Sequence, residues 1–573
     1  MLSIQINARA VEAEEGETIL EAARRAGIEI PALCNVAGLT PTGACRVCVV
    51  EVEGTAALVP ACSYPVALGM RIHTHSPRVL DARRTLVELM VSNHPDDCLY
   101  CQRQGTCELR TLANTVGVHR RVFRGEKRTH AADFTAAALE RDPQKCILCA
   151  KCVRVCEEIQ SVGAIDLVGR GAGTFVGTAF DQGLANSSCV SCGQCVLACP
   201  TGALTERSHV QEVLAALANP ELFVVVQHAP AVSVTLGELF GAAPGQDVDG
   251  QLVAALRQVG FKRVFDTSFA ADLTIWEEAS ELVERLHAGL PLPMLTSCSP
   301  GWISFVETFY PEFIPNLSTC KSPQQMLGAL VKTYCAEREG LDPARIISVS
   351  IMPCTAKKAE ASRPEMRVSA SSDVDYVLTT RELGELLRLH SVNLSALTPD
   401  TADTPFGERT AAGKIFGASG GVMEAAVRSA HYFITGRELE PLELMPLRGL
   451  GGAKELRARI GELELGAAVV SGLSNARALL ESLRAGRKDL HFIEVMTCPG
   501  GCINGGGQPY RTDRDGVRAR MAALYSIDRS AAQRTSHSNA HVQRLYQEFL
   551  GEPLGERSHR LLHTHYARRD VLC

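Results

Sequence analysis

The first thirty residues change rhythm once. Apolar Leu2, Ile4 and Ile6 alternate with polar neighbours, the two-residue period of a half-buried strand, and TILEAARRAG then follows a helical spacing that stops at Gly27. Beyond about residue 209 the pattern becomes a series. ELFVVVQHAPAVSVTLGE, IISVSIMPC, KIFGASGG and FIEVMTC read as β-rich runs ending in Gly, Cys or small residues, the first continuing into a loop and helix. Between them lie the helical stretches SELVERLHAG, SPQQMLGALVKTYCAE and GGVMEAAVRSAHYF. Strands alternating with helices predict α/β sheets with a ligand site at the strand ends. From residue 510, GVRARMAALYSIDR and AHVQRLYQEFLGEP predict a helical tail, whose histidines, HTHY included, are expected to pack on helix surfaces.

Length and charge narrow the picture. A chain of 573 residues, 46% hydrophobic and 21% charged, predicts several globular domains rather than a disordered chain. The net charge of −6 argues against nucleic-acid binding or a polybasic membrane surface. No apolar run is long enough to cross a membrane, so no membrane insertion is expected. The start, MLSIQINARAVEAEEGE, has neither a basic n-region nor an apolar h-region, and a twin-arginine signal is absent; a cytoplasmic location is expected.

The cysteines carry the chemistry. Of 22, 15 fall within residues 1–199. They come as tight CxxC pairs in a large chain without a secretory signal, which favours metal ligation over a disulfide framework. Cys34, Cys45, Cys48 and Cys62, with Gly43 beside the close pair, can hold a 2Fe–2S cluster whose charge is steadied by loop N–H groups; a structural zinc site is the alternative. The segment resembles a plant-type ferredoxin domain with a longer first spacing. His94, Cys98, Cys101 and Cys107 form a complete four-ligand set that zinc would also accept. Set between iron–sulfur units, it resembles the one-His, three-Cys 4Fe–4S segment of the complex I large iron–sulfur subunit and of di-iron hydrogenases. Cys146, Cys149, Cys152, Cys156 and then Cys189, Cys192, Cys195, Cys199-Pro200 repeat C-x2-C-x2-C-x3-C. In such a two-cluster ferredoxin run the fourth Cys serves the other cluster. One cluster then takes Cys146, Cys149, Cys152 and Cys199, the other Cys189, Cys192, Cys195 and Cys156.

Three later loops carry Cys: LTSCSPGW with Cys298, IMPCTAKKAE with Cys354, and EVMTCPGGCINGGGQP with Cys498 and Cys502. Four thiolates from distant loops suffice for one more 4Fe–4S cluster. The glycines after Cys498 leave room for something bulky to approach the backbone, and no GK[ST] follows to make a phosphate loop. These loops resemble the three signature loops of FeFe (iron-only) hydrogenases, and the resemblance covers almost the whole chain. It implies an α/β multidomain protein: a ferredoxin-like β-grasp 2Fe–2S domain at 1–77, a one-His, three-Cys 4Fe–4S domain at 78–125, a two-cluster ferredoxin domain at 126–208, an α/β catalytic domain at 209–509 and a helical C-terminal extension at 510–573. It also implies an H-cluster, a 4Fe–4S cube joined through a Cys sulfur to a di-iron unit with CO, cyanide and azadithiolate. Cys502 is then the bridging ligand, with Cys354 and Cys498 as further cube ligands.

The first loop departs from the family's usual TSCCP, because Ser299 precedes Pro300. Thiolate is the stronger iron ligand, which favours Cys298 as the cube ligand with Ser299 aiding proton transfer. Residue correspondence favours the reverse. The resemblance further implies a proton route through Glu278, Ser318, Glu281 and Arg285; Glu278 and Glu281 share a helical face at i, i+3, which read alone is a solvated acidic face. Lys357 would donate to a cyanide, and Pro230, Gln324, Met352 and Met496 would line the cavity. Cys320 and Cys335 read as buried apolar thiols and Cys573 as a frayed end. The implied activity is reversible H2 oxidation and proton reduction in an anaerobic enzyme, with H2 and protons as substrates. Four accessory clusters, three 4Fe–4S and one 2Fe–2S, would relay electrons to ferredoxin or to NAD(P)-linked, diaphorase-type partner subunits, and maturation proteins would install the di-iron unit. Any NAD(P) chemistry would sit on a partner, since no dinucleotide fingerprint is convincing. The alternatives are a sensory or non-catalytic H-cluster-binding relative, and an electron-transfer subunit of a complex I-like dehydrogenase.

Overall fold

The computed structural model describes residues 1–124, 127, 129–368, 371–461 and 463–571; the expected domain boundary at 125/126 and Cys573 lie outside the described residues. The chain divides into two compact units. The first holds Met1–Ile159, Gly163–Ser187 and Ala198–Thr205, and the second holds Gln160–Val162, Ser188–Leu197 and Glu206 onward.

In the first unit the alternation at the N-terminus becomes a hairpin. Strand Leu2–Ile6 pairs antiparallel with Arg9–Ala13 and parallel with Arg71–His73. Strands Val49–Val52 and Val59–Pro60 complete a five-stranded sheet. Helix Ile19–Arg25 begins at a capping box in which Thr18 and Glu21 satisfy each other's backbone N–H groups. It buries Ile19, Leu20, Ala22 and Ala23 against Ile4, Ile6, Val50 and Ile72 in one core, which also takes in Cys34, Cys45, Cys48 and Cys62. Helix Pro77–Ser92 is capped by Ser76. Its buried Arg83 donates to the carbonyls of Val47 and Val49 at 3.0 and 2.9 Å, clamping the Cys48 loop from below.

The second unit is built on two four-stranded sheets. One is all parallel, in the order Arg263–Asp266, Phe223–His228, Ile346–Met352, Tyr376–Thr379. The other runs Met294–Leu295, Phe492–Met496, Leu463–Ser471, Ala453–Ile460, parallel except for the last pair. Apart from the antiparallel edge strand Ala453–Ile460, which is largely exposed, the strands are buried on both faces, as parallel strands between helices must be. Helix Thr267–Ala288, capped by Asp266 and ended at left-handed Gly289, packs on helix Gly421–Thr435. Four parallel strands end at Leu295, His228, Met352 and Met496, and Cys298, Pro230, Cys354 and Cys498 follow within three residues. Carboxyl ends of parallel strands are where α/β sheets place their ligands.

Two expectations need correction. KIFGASGG is not a strand: Ala411–Lys414 is a short helix, Ile415–Gly417 a 3₁₀ turn, and Gly420 at φ +97° starts helix Gly421–Thr435. A Cβ on Gly421 would lie 1.9 Å from the Ile415 carbonyl, so the glycines serve a tight turn. Three apolar residues cannot distinguish strand from buried helix. The tail is helical at Arg514–Ser530, Ala540–Leu545 and Glu556–Leu562, but His537 and His563 are buried. His537 stacks on Tyr432 at 4.2 Å, and the chain at His563 pairs like a strand with Cys320. No helix among the described residues is long and apolar enough to cross a membrane.

Candidate active site

Several of the candidate cluster residues of the first unit lie together. Cys34 hydrogen-bonds with Cys45 and Cys62, and Cys62 with Cys48. His94 donates its Nδ1–H to the Pro95 carbonyl at 3.1 Å, while its buried Nε2 has no hydrogen-bond partner among the described residues. That orphaned lone pair is what a ligand imidazole must offer. The Cys101 sulfur packs where a Cβ on Gly202 would come within 2.7 Å. Cys146, Cys149, Cys152 and Cys199 line one cavity of about 420 Å³. Cys156 belongs to the first unit and Cys189, Cys192 and Cys195 to the second.

The second unit holds the main cavity, with about 830 Å³ of atom-free space. Cys298, Cys354, Cys498 and Cys502 all line it, as do Ser299, Lys357, Pro230, Gln324, Met352 and Met496. Ala229, Ala231 and Phe416 keep the rest of the wall apolar. Burial raises the proton affinity of all four thiols, with the neighbouring Cys354 adding to it at Cys502, which is pushed up to about 12. Such thiols stay protonated unless a metal displaces the proton, so this donor set fits a thiolate-bound metal centre, an iron–sulfur cluster included.

The glycines do something other than the spacing suggested. Gly501 and Gly505 line the cavity, but the run mainly lets backbones touch. A Cβ on Gly505 would lie 2.1 Å from the Pro353 carbonyl, and one on Gly506 would lie 2.2 Å from the Cys192 carbonyl. These contacts press the Cys502 loop onto the Cys354 loop and onto Cys192, which also lines the cavity. Thr355 Oγ1 donates to the Ser191 carbonyl at 2.7 Å and fixes the third side.

Lys357 is aimed by a network. Its Nζ donates to the Cys298 carbonyl at 3.1 Å and to Glu360 at 3.0 Å. Glu360 is held in turn by Ser322 and by Gln324 Nε2, each at 3.0 Å. Ser299 Oγ lies 2.8 Å from Thr497 Oγ1, beside Cys498, and accepts from the Thr497 N–H.

Glu278, Glu281, Ser318 and Arg285 are all buried. Ser318 Oγ donates to Glu281 Oε2 at 2.8 Å, and Arg285 donates to Glu281 Oε1 at 2.6 Å. Glu278 is different. Neither carboxylate oxygen has a well-formed hydrogen bond among the described residues. Burial, then the charges of Glu281 and Glu494, push it up to about 8, with Ser297 N–H and Ser318 nearby offsetting only part. It is mostly protonated at neutral pH, and its ionised form adds to the raised proton affinity of Cys298.

The comparisons agree with this geometry. Residues 222–506 match the model for the iron only hydrogenase large subunit, C-terminal domain, and 514–569 that for the iron hydrogenase small subunit. Residues 1–77 match a 2Fe-2S iron-sulfur cluster binding domain, 83–121 the NADH-ubiquinone oxidoreductase-G iron-sulfur binding region, and 145–203 a 4Fe-4S dicluster domain. The NADP-reducing hydrogenase subunit HndD of Solidesulfovibrio fructosivorans is 47% identical, over 100% of both chains. This chain belongs to the iron-only hydrogenase family. Iron hydrogenase 1 of Clostridium pasteurianum is 40% identical over 99% of this chain and 100% of that protein. A variant of the FeFe-hydrogenase HydA1 of Chlamydomonas reinhardtii superposes with a TM-score of 0.58 at 43% identity, covering 63% of this chain and 99% of that one. This hydrogenase oxidises H2 and reduces protons, at an H-cluster served by accessory iron–sulfur clusters.

Sequence reasoning missed several residues that shape its site. Glu494 on strand Phe492–Met496 is fully buried and accepts from the Gly420 and Met423 N–H groups, each at 2.7 Å, at the start of helix Gly421–Thr435. Glu277 and His563 form a buried pair at 3.1 Å. Only the Glu277-Glu278 doublet hinted at this, since two adjacent acids cannot both sit on one solvated helical face. Cys320 and Cys335 both lie in one hydrophobic core as expected, Cys320 with its sulfur also 3.9 Å from Glu281.

Proposed function

We propose that Cys354, Cys498 and Cys502 ligate the cube of the H-cluster, with Cys502 bridging to the di-iron unit and its CO, cyanide and azadithiolate ligands. When bound, that group supplies the redox and proton-accepting centre at which H2 is made or split. The protein's part is to exclude water, to hold ligands and to move protons. Ala229, Ala231, Phe416, Met352 and Met496 make the cavity dry; Pro230 and Gln324 close its wall. Lys357, fixed by Glu360, presents a cation to a cyanide.

Cys298 and Ser299 divide the remaining work. The Cys298 thiol lies within the field of Glu278, and the Ser299 hydroxyl is anchored beside Cys498. This favours Cys298 as the proton-carrying thiol and Ser299 at the fourth ligand position, reversing the preference that ligand strength alone gives. Protons then pass between Cys298 and Glu278, a neutral acid able to donate and accept, and on through Ser318, Glu281 and Arg285. The observation that carries the reading is the convergence of four thiols from three separate loops on one cavity.

The four sequence clusters make three 4Fe–4S and one 2Fe–2S carriers. Full-length similarity to an NADP-reducing subunit favours NAD(P)-linked partner subunits in the cytoplasm, with ferredoxin as a further exchange partner and maturation proteins supplying the di-iron unit. The test is anaerobic maturation, followed by H2 assay and infrared spectroscopy. Expected are CO and cyanide bands together with H2 evolution and uptake; a matured chain with neither overturns the reading. In parallel, S299C is expected to strengthen iron retention and C298A to abolish turnover while keeping the cube's spectroscopic signature. Loss of the cube in C298A would restore Cys298 as ligand.

A further inference from the structure

Glu281 faces groups on its far side that the proton route above does not use. A Glu281 carboxylate oxygen, the Cys320 sulfur and a His563 ring nitrogen lie within 4.8 Å of one another, all three residues buried. His563 reaches this position because the tail runs beside the Ser318 loop. Lys321 N–H donates to the Leu562 carbonyl at 2.7 Å, and Thr564 N–H to the Thr319 carbonyl at 2.8 Å. The imidazole then bonds at both nitrogens, Nδ1 to Thr319 Oγ1 at 2.8 Å and Nε2 to Glu277 Oε2 at 3.1 Å. Its ring stacks at 4.1 Å on His559, which is exposed. From solvent inward the order is His559, His563, Glu281.

A Cys, His and Glu set is one that zinc accepts. Here Glu281 already receives Arg285 at 2.6 Å and Ser318 at 2.8 Å, and both His563 nitrogens are engaged. No charge is left over for a cation, and proton transfer is the chemistry these bonds support.

We propose that His563 is a second proton port to Glu281, parallel to the end at Arg285. The inference rests on the Glu278–Ser318–Glu281 route. In the inward direction His563 takes a proton relayed from the His559 side on Nδ1, which gives up the bond it accepts from Thr319 Oγ1, and becomes an imidazolium balanced by Glu277 through Nε2. It then releases one proton to the Glu281 carboxylate and returns to neutral. Only N–H and O–H bonds form and break. The gap to Glu281 is the span of one bridging water or of the Cys320 thiol. The groups facing His563 are Glu277 and Glu281 from the long helix, with Arg285 behind Glu281 and Tyr546 behind Glu277. Cys320 and Thr319 face it from the loop, and His559 from the tail, with Glu284 acting on His559. Imidazole suits this place, being the side chain that exchanges protons near neutrality.

The test uses matured holoenzyme carrying H559Q, H563Q, R285Q, or H563Q with R285Q. Proton-reduction rate is read across pH and in heavy water, with iron content and CO and cyanide bands as controls. H563Q is expected to slow turnover by up to about tenfold, with a larger solvent isotope effect. The double variant is expected to lose more than the product of the two single losses, because both parallel ports are then closed. H559Q, at the surface, is expected to change the pH profile with no change in melting temperature. An unaltered pH profile and isotope effect in H563Q, with a double variant no worse than R285Q, overturns the port. If H563Q fails to fold, an unaltered profile in H559Q overturns it. Full turnover in E278A would instead sink the inner route itself.

Discussion

Two neighbouring acids on one helix are treated in opposite ways. Glu277 is fully buried and saturated: Tyr546 and Ser558 donate to Oε1 at 2.5 Å, the Leu554 N–H to Oε2 at 2.8 Å, and His563 sits at 3.1 Å. Burial pushes its carboxyl up, but the bonds from His563, Ser558 and Tyr546 outweigh that and hold it below the usual carboxylate range. Glu278, one residue on, is just as buried, lacks such donors, and stands at about 8. Adjacent helical residues point about 100° apart, so one faces the tail and the other the cavity. Glu277 illustrates a structural charge, satisfied and fixed; Glu278 illustrates a functional acid, left unsatisfied so that it can trade its proton.

The largest effect should come from breaking the functional member. E278A removes a buried acid that acts on Cys298 and whose proton affinity is pushed up to about 8, and the expected loss in H2 evolution is on the order of a hundredfold to ten-thousandfold. The accessory clusters should still be reduced by dithionite, because nothing in the first unit changes; electron paramagnetic resonance checks this beside the gas assay. E278D with near-normal rates would show that position matters less than the presence of a carboxyl.

Breaking the structural member should instead cost stability. E277Q puts an amide, one of whose ends can no longer accept, in place of a carboxylate that Tyr546, Ser558, the Leu554 N–H and His563 all bond. The expected destabilisation is about 3–5 kcal/mol, read as a lowered melting temperature or denaturation midpoint. If E277Q melts like the unchanged protein, the contrast between the two acids is wrong.

The same contrast explains what could be read from the chain beforehand. Cys34 to Cys62, His94 to Cys107 and each ferredoxin run are local constellations, legible from their spacing alone whatever the remaining fold does. Cys298, Cys354, Cys498 and Cys502 are far apart in sequence; the strand runs before Cys354 and Cys498 were legible, whereas the two-residue strand Met294–Leu295 ahead of Cys298 was too short to read. Glu277, Glu494 and His563 were not legible because their role depends on partners up to 286 residues away. The serine of the first loop was legible as a departure, but not its anchoring on Thr497, which needs two loops 198 residues apart to meet. KIFGASGG misled for a local reason: its apolar run is too short to carry a period.

The smallest expected effect is also the one that separates the two acids most directly, through the pH dependence of stability. Glu278 has a folded value, about 8, above its ordinary 4.5. Between those values the folded chain binds more protons than the unfolded one, so its contribution to stability falls as pH rises through that window. Glu277 has a folded value below its ordinary one. Its contribution is complete above the ordinary value and is lost as pH falls through the folded one. Denaturant titrations from pH 4.5 to 8 should therefore show E278Q flattening the alkaline decline, whereas E277Q should leave that slope in place and lower the whole curve. Each full proton difference is worth about 1.4 kcal/mol per pH unit, enough to resolve against a background of other titrating groups when variant and parent are compared at the same pH. A parent and an E278Q variant with superimposable slopes would mean that Glu278 is ionised in the folded protein, and a carboxylate already ionised could not serve as the cavity's proton donor.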